Sequence, residues 1–134
     1  MNILLDTHVI LWSLYASSNL PGNIRELIED RANKVYVSSV SVWEVSLKNR
    51  KRPDEMPFTA ERLINDCEKI GFSFLGLNNK HVLSESRLTH RSDDIGHKDP
   101  FDRILIGQAA SEDMFFITHD SKLSSYSYDK MMLF

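Results

Sequence analysis

The sequence has 134 residues, of which 42% are hydrophobic and 26% charged, and this composition predicts one globular domain over residues 1–134, not a disordered or fibrous chain. The sequence contains no apolar stretch of membrane-spanning length and no secretory signal peptide before Asp6. Its single cysteine, Cys67, excludes an intramolecular disulfide. These features together predict a cytoplasmic protein. The net charge of −3 does not by itself indicate a polyanionic partner.

Short apolar runs and segments of helical periodicity alternate along the chain. The apolar runs predict buried strands at 3–5, 35–37, 72–75 and 114–117. The helical segments are 20–32, 41–50, 59–70, 78–88 and 100–113. Because strand and helix alternate and the strands are too apolar for a one-sided sheet, the sequence predicts an α/β sandwich around a mainly parallel sheet.

Four acidic residues follow strands or begin helices. Asp6 ends the first strand and Asp120 follows the last predicted strand, whereas Glu44 and Asp102 lie near the starts of helices. In an open parallel sheet these positions lie at one edge, where ligands bind. We therefore expect the four carboxylates to converge there.

Each acid also has a purely structural interpretation. Asp6 can cap a helix that starts at the next residue, Glu44 can form a capping box with Ser41, and Asp120 can lie in a turn. Asp99, before Pro100, fits an N-cap, which leaves Asp102 at the third helical position. The residues at +3, +4 and +7 from Asp102 are apolar, so its carboxylate is expected to point to the strand ends.

Converging carboxylates repel one another, and a hard divalent cation such as Mg²⁺ is the simplest way to hold them together. Such a site suits phosphoryl chemistry, in which the metal activates water. A competing hypothesis uses His97 and His119 as zinc ligands or as an acid/base pair, although neither has a typical ligand spacing.

Four segments of the sequence resemble the PIN-domain ribonucleases, and specifically the VapC-type toxins of bacterial toxin–antitoxin pairs. Residues 4–12 read LLDTHVILW, residues 37–45 read VSSVSVWEV, residues 97–109 read HKDPFDRILIGQA, and residues 117–120 read ITHD. The resemblance extends from Asn2 to about Tyr126. It departs from the VapC subgroup at His119, where arginine is usual, and at the C-terminus.

The resemblance implies a PIN-like three-layer α/β/α sandwich that cleaves RNA with Mg²⁺ or Mn²⁺. It implies a VapB-type antitoxin and a homodimer as partners. It also implies roles for individual residues: Asp6, Glu44, Asp102 and Asp120 as catalytic metal ligands, with Asp99 and Thr118 as accessory residues.

Basic residues flank the predicted site. They are Lys48, Arg50, Lys51 and Arg52 after Glu44, and Arg87, His90, Arg91 and Lys98 before Asp99. Such runs are often only solvated surface, but here they could hold phosphates. We predict Lys48, Arg50, Arg103 and His119 as substrate-binding residues. The apolar segments 9–12 and 56–58 are expected to offer surface to a partner.

Three other functions are open at this point. A magnesium-dependent phosphatase of the haloacid-dehalogenase type needs a second Asp two residues after Asp6, where this chain has His8. A receiver domain needs adjacent acids after the first strand, and these are absent from the sequence. A catalytically inactive PIN domain that only binds RNA or protein is the third alternative.

Overall fold

The computed structural model describes residues 1–15, 17–89 and 99–134. Within these residues the strands are β1 (Asn2–Leu5), β2 (Lys34–Ser38), β3 (Ser73–Leu75), β4 (Phe115–Thr118) and β5 (Met131–Leu133). The helices are α1 (Thr7–Leu14), α2 (Gly22–Glu29), α3 (Ser39–Lys51), α4 (Ala60–Ile70), α5 (Asn79–Ser86) and α6 (Pro100–Glu112), with a 3-10 helix at Ser121–Ser125.

The strands form one sheet in the order β3-β2-β1-β4-β5, and all neighbouring pairs are parallel. The chain order reverses at β1, whose neighbours are β2 on one side and β4 on the other. Ligands in open parallel sheets bind beyond the carboxyl ends at such a point. Leu5 of β1 is paired with Ile117 of β4, so the residues that follow these two strands start side by side.

The two faces of the sheet have separate hydrophobic cores. Ile3 and Leu5 of β1 pack with residues of α1, α2 and α4, whereas Leu4, between them, packs with residues of α6. Successive side chains of a strand point to opposite faces, so a continuous apolar run fills both cores. The predicted α/β sandwich is confirmed.

The ends of the helices show why they stop where they do. Thr59 caps α4 by accepting from the backbone N–H of Arg62, and Gly71 ends it with a φ of 91°. A residue without a side chain adopts this left-handed conformation without steric cost. Cys67 lies on the buried face of α4, as its apolar neighbours predict.

The sequence interpretation of α3 was wrong at its start. The helix begins at Ser39, and its N-cap is Ser38, whose hydroxyl accepts from the N–H of Val40 at 3.0 Å. Glu44 is therefore in the second turn and forms no capping box with Ser41. Because the last strand residue itself supplies the cap, no separate loop marks the beginning of the helix.

One further expectation is corrected, and the structure adds one strand at the C-terminus. Val9, Ile10, Leu11 and Met56 are buried in the core, so the apolar surface offered by segments 9–12 and 56–58 is limited to Trp12, Pro57 and Phe58. The divergent C-terminus forms β5, an edge strand paired with β4, which the sequence pattern did not indicate. In the described part of the chain, no helix has the length and apolar character needed to cross a bilayer.

Candidate metal centre

A pocket of about 330 Å³ lies at the carboxyl edge of the sheet, beyond β1 and β4. Its lining includes all four predicted acids together with Asp99, and consists of Asp6, His8, Trp12, Glu44, Lys48, Asp99, Asp102, His119 and Asp120. Residues far apart in sequence therefore meet at one place, as predicted from their positions after strands and at the starts of helices.

Asp6 is held in position from both sides. Its Oδ1 accepts from the backbone N–H of Thr7 at 2.7 Å, and its Oδ2 accepts from the hydroxyl of Thr118 at 2.6 Å. The Thr118 hydroxyl in turn accepts from the N–H of Asp120 at 3.1 Å. Burial raises the pKa of Asp6, and these hydrogen bonds partly oppose that effect. The short chain of bonds links the acids at the ends of β1 and β4.

Glu44 is only 5% exposed and projects from α3 toward α1. Thr7 Oγ1 lies 2.9 Å from Glu44 Oε1 and 2.9 Å from Ser41 Oγ. A hydroxyl has one proton and a carboxylate can only accept, so Thr7 donates to Glu44 and accepts from Ser41. Sequence reasoning assigned no role to Thr7, and it considered Ser41 only as a capping partner of Glu44. The hydroxyl residues that lie near the acids in the sequence were the signal that could have indicated these hydrogen bonds.

Lys48 neutralises part of the acidic pocket. Its Nζ lies 2.6 Å from Glu44 Oε2, one helical turn away, and its side chain is 47% exposed. Burial lowers the pKa of Lys48, but the hydrogen bond to Glu44 and the charges of Glu44, Asp99 and Asp102 outweigh it and leave the pKa raised. The ammonium group therefore stays charged and occupies one carboxylate oxygen of the predicted metal-ligand set.

Asp102 has the most perturbed carboxyl group in the pocket. Burial, followed by the negative charges of Asp6, Asp99, Glu44 and Asp120, raises its pKa to about 8. The residues at +3, +4 and +7, Leu105, Ile106 and Ala109, are fully buried. This packing confirms the expected apolar stripe of α6.

Asp99 and Asp120 combine structural roles with a place in the pocket. Asp99 caps α6 by accepting from the N–H of Phe101 at 2.9 Å, with Pro100 as the first helical residue. Asp120 caps the 3-10 helix by accepting from the N–H of Lys122 at 3.0 Å. The capping interpretation of Asp99 is correct, whereas Asp120, expected in a turn, caps a 3-10 helix. Both residues also line the pocket.

The donor set fits a hard divalent cation. The pocket offers carboxylate oxygens, which Mg²⁺ and Mn²⁺ prefer. The raised pKa of Asp102 reflects first its burial and then repulsion by the other carboxylates, and a cation would offset both. Across residues 1–15, 17–89 and 99–134, no three His, Cys, Asp or Glu side chains are already arranged to hold an ion. In this arrangement Lys48 is paired with Glu44, and Thr7 and Thr118 hydrogen-bond to Glu44 and Asp6.

The predicted substrate-binding residues differ in position. Lys48 and His119 line the pocket, whereas Arg50 is exposed near the end of α3 and is not among the lining residues. Arg103 donates to Glu85 Oε1 at 2.6 Å and to the Tyr126 hydroxyl at 3.2 Å, and it is not among the residues that line the acidic pocket. His90, Arg91, His97 and Lys98 lie outside the described residues.

His8 and Trp12 also line the pocket, although sequence reasoning gave them no site role. They are four residues apart in α1 and therefore lie on the same face of the helix. This i, i+4 spacing after Asp6 was the signal that could have identified them.

A larger pocket, of about 590 Å³, lies at the opposite edge of the sheet. It is lined by residues 28–35 and 70–73, near the amino ends of β2 and β3. Because ligands of parallel sheets bind at the carboxyl edge, we take the smaller, acidic pocket as the candidate functional site.

Comparison with known proteins identifies the family. The PIN domain family model matches residues 3–127, and the chain belongs to this family. No curated protein sequence matches the chain.

Three solved structures with a similar fold are toxin–antitoxin complexes. VapBC2 from Rickettsia felis, bound to a DNA fragment from its promoter, has a TM-score of 0.68 at 14% identity and covers 100% of this chain and 98% of that chain. VapBC-1 from nontypeable Haemophilus influenzae has a TM-score of 0.61 at 18% identity, covering 91% and 89%. A toxin–antitoxin complex from Klebsiella pneumoniae has a TM-score of 0.61 at 15% identity, covering 97% and 95%. At these identities the similarity shows the shared fold.

Proposed function

We propose that this PIN-domain protein is a metal-dependent endoribonuclease of the VapC toxin type. The observation that carries the proposal is the pocket at the carboxyl edge, where Asp6, Glu44, Asp102 and Asp120 meet. The resemblance to the VapC motifs and the fold shared with toxin–antitoxin proteins support it.

Asp6, Glu44, Asp102 and Asp120 would hold Mg²⁺ or Mn²⁺, with Asp99 nearby. When bound, the cation lowers the pKa of a water molecule and neutralises charge that develops on the phosphate. The chain itself provides orientation: Thr118 fixes the carboxylate of Asp6, and Thr7 fixes that of Glu44. Such supporting contacts typically change metal affinity or activity roughly 10- to 100-fold.

Lys48 gives the site a movable positive charge. Its side chain is half-exposed and flexible, so its ammonium group can leave Glu44 and contact a phosphate of the substrate. We assign it this role in substrate binding. His119, which also lines the pocket, is the second residue that we propose to contact the substrate.

Cleavage of single-stranded RNA by the purified protein tests the proposal. We expect cleavage with Mg²⁺ or Mn²⁺, loss of cleavage in excess EDTA, and products with 5′-phosphate and 3′-hydroxyl ends, as in hydrolysis by an activated water. Full cleavage in EDTA, or 2′,3′-cyclic ends, would refute it, because such ends arise from attack by the 2′-hydroxyl of the RNA.

The same assay distinguishes the proposed nuclease from the alternative of an inactive PIN domain that only binds RNA or protein. A folded protein that binds RNA but does not cut it with either cation would favour that alternative. Asp6→Asn is the matched catalytic variant. It keeps the acceptor for the N–H of Thr7 and the shape of the side chain while removing its charge.

We propose a VapB-type antitoxin and a second copy of the chain as its partners. The antitoxin proposal is supported by the three structural neighbours, which are toxin–antitoxin complexes. Expression of the soluble wild-type chain alone should harm cells, and Asp6→Asn should not. Light scattering of the purified protein tests the homodimer.

A further inference from the structure

One wall of the acidic pocket is aromatic. His8 and Trp12 of α1 and His119 after β4 line it, and the carboxylates of α3 and α6 line the same pocket. The ring centroids of Trp12 and His119 are 5.3 Å apart with the edge of one ring toward the other, and those of His8 and Trp12 are 6.1 Å apart. The rings form a continuous row with its ends accessible, since His8 and His119 are exposed and Trp12 is half-buried.

The row is held in place before any ligand arrives. Phe134 packs behind it, with its ring centroid 4.8 Å from that of His119 and 6.2 Å from that of Trp12. The carbonyl oxygen of Phe134 also accepts a hydrogen bond from His119 Nδ1. A carbonyl can only accept, so Nδ1 carries the hydrogen and Nε2 is left without one in the neutral ring. A fixed ring loses little conformational entropy when a ligand stacks on it.

These observations point to a planar, uncharged ligand group beside the carboxylates. We propose that the wall formed by His8, Trp12 and His119 is a stacking site for one nucleobase of a single-stranded substrate. The inference rests on the proposed nuclease function and adds to it the part of the substrate that is recognised. Aromatic side chains bind the faces of bases in this way with little dependence on sequence.

The size and charge of the pocket support a base at this wall. A volume of about 330 Å³ is near the lower end for ligand pockets, which is roughly 300 Å³, and this favours one nucleotide unit over a longer segment. The carboxylates repel phosphate, so a nucleotide is expected to place its phosphate toward the bound cation and Lys48 and its uncharged base against the rings.

The fluorescence of Trp12 can report this contact directly. The chain has two tryptophans, and Trp43→Phe leaves Trp12 as the single one. Trp43 is 58% exposed, so the change is expected to be mild. Adding Asp6→Asn prevents cleavage during the measurement.

The probe is a single-stranded RNA tetranucleotide, compared with an abasic tetranucleotide of the same phosphate charge. We expect the base-containing probe to quench Trp12 and to bind at least about fivefold more tightly than the abasic one. His8→Ala and His119→Ala should remove most of this difference. His119→Phe should restore it, because it keeps a ring but not the imidazole nitrogens.

Phe74→Ala is the matched control, since Phe74 is an exposed aromatic residue of β3 outside the pocket lining. It should leave both affinities unchanged. Equal binding of the two probes, no binding of the base-containing probe, or unchanged binding in His8→Ala and His119→Ala would overturn the inference.

Cleavage by the Trp43→Phe protein in Mg²⁺, measured in parallel, separates this inference from the proposed function. Cleavage with equal binding of the two probes would refute only the stacking site. Base-dependent binding without cleavage would refute the nuclease proposal and leave the stacking site in place.

Discussion

At the scale of single residues, the acidic pocket is a balance of charges and not simply a collection of ligands. Glu44 is buried and is hydrogen-bonded by two residues, Thr7 and Lys48. Burial and the negative charges of Asp6, Asp99, Glu44 and Asp120 raise the pKa of Asp102 to about 8. The two acids should therefore respond differently to pH and to substitution.

Asp102 should make the stability of the metal-free protein depend on pH. Its pKa is raised from 3.8 to about 8, so between these values the folded protein binds more protons than the unfolded chain. The free energy of unfolding should then fall as the pH rises through this range. Urea unfolding in EDTA at several pH values measures this change in the free energy of unfolding.

Asp102→Asn should flatten this decline and make the variant more stable than wild type near pH 8. The decline that remains is attributed to Asp6, whose pKa is also raised. An identical decline in wild type and Asp102→Asn would show that Asp102 is not protonated in the folded protein.

Lys48→Met should destabilise the metal-free protein, because it leaves the buried carboxylate of Glu44 without its ion pair. Removing one partner of a fully buried pair costs about 3 to 5 kcal/mol. Lys48 is half-exposed, so we expect a smaller loss of about 1 to 2 kcal/mol. Saturating Mg²⁺ should recover most of it by supplying positive charge near Glu44.

Lys51→Met is the control for Lys48→Met, since it removes the same charge from an exposed position of the same helix. Thermal unfolding with and without Mg²⁺ compares the two variants. Equal behaviour would mean that the Lys48–Glu44 pair contributes nothing to the site.

At the scale of elements, helix starts place the acids, and capping and site formation share the same residues. Asp99 shows this most clearly, because it caps α6 and lines the pocket. Asp99→Ala should cost about 0.5 to 2 kcal/mol of stability through the lost cap, whereas Asp99→Asn should keep the cap and the stability. Denaturant unfolding of both variants measures the difference.

Cleavage assays of the same variants then separate the two roles of Asp99. We expect Asp99→Asn to keep measurable cleavage and Asp102→Asn to lose it. The opposite pattern would place the essential ligand at the cap of α6 and not one turn into the helix.

Helix α6 is also positioned by its close contact with α5. A Cβ atom on Gly107 would lie 2.8 Å from the backbone nitrogen of Glu85, so Gly107→Ala must move the two helices apart. Overpacking of this kind costs about 1 to 3 kcal/mol, which exceeds the gain of up to about 1 kcal/mol from replacing glycine in a helix.

Gly22→Ala is the control, because nothing lies within 4 Å of the added Cβ. It should leave stability unchanged or slightly raised. Chemical denaturation of both variants tests the packing. An unchanged free energy of unfolding in Gly107→Ala would contradict the close approach of α5 and α6.

At the scale of the whole molecule, local patterns predicted strands β1 to β4 and the meeting of the four acids, because that meeting follows from where strands end. They did not predict side-chain partners from distant segments. The turn of Arg103 toward Glu85 and Tyr126 depends on packing between α5, α6 and the C-terminal segment. No local pattern contains this information.

A buried polar network was missed for the same reason. Ser38 donates to Gln108 at 2.5 Å, Gln108 contacts His81, and His81 Nε2 lies 2.8 Å from Glu112. Each residue looks ordinary in its own segment. The network becomes visible only when β2, α5 and α6 are brought together.

Direct binding of Mn²⁺, measured by calorimetric titration, tests the central claim that the converging carboxylates form one metal site. Near pH 8, where Asp102 is about half ionised, wild type should bind Mn²⁺. Asp6→Asn and Asp102→Asn should each bind at least about 10-fold more weakly, and Asp54→Asn, at an exposed position of a turn, should match wild type. Absence of binding to wild type, or equal affinity in all four proteins, would contradict the account.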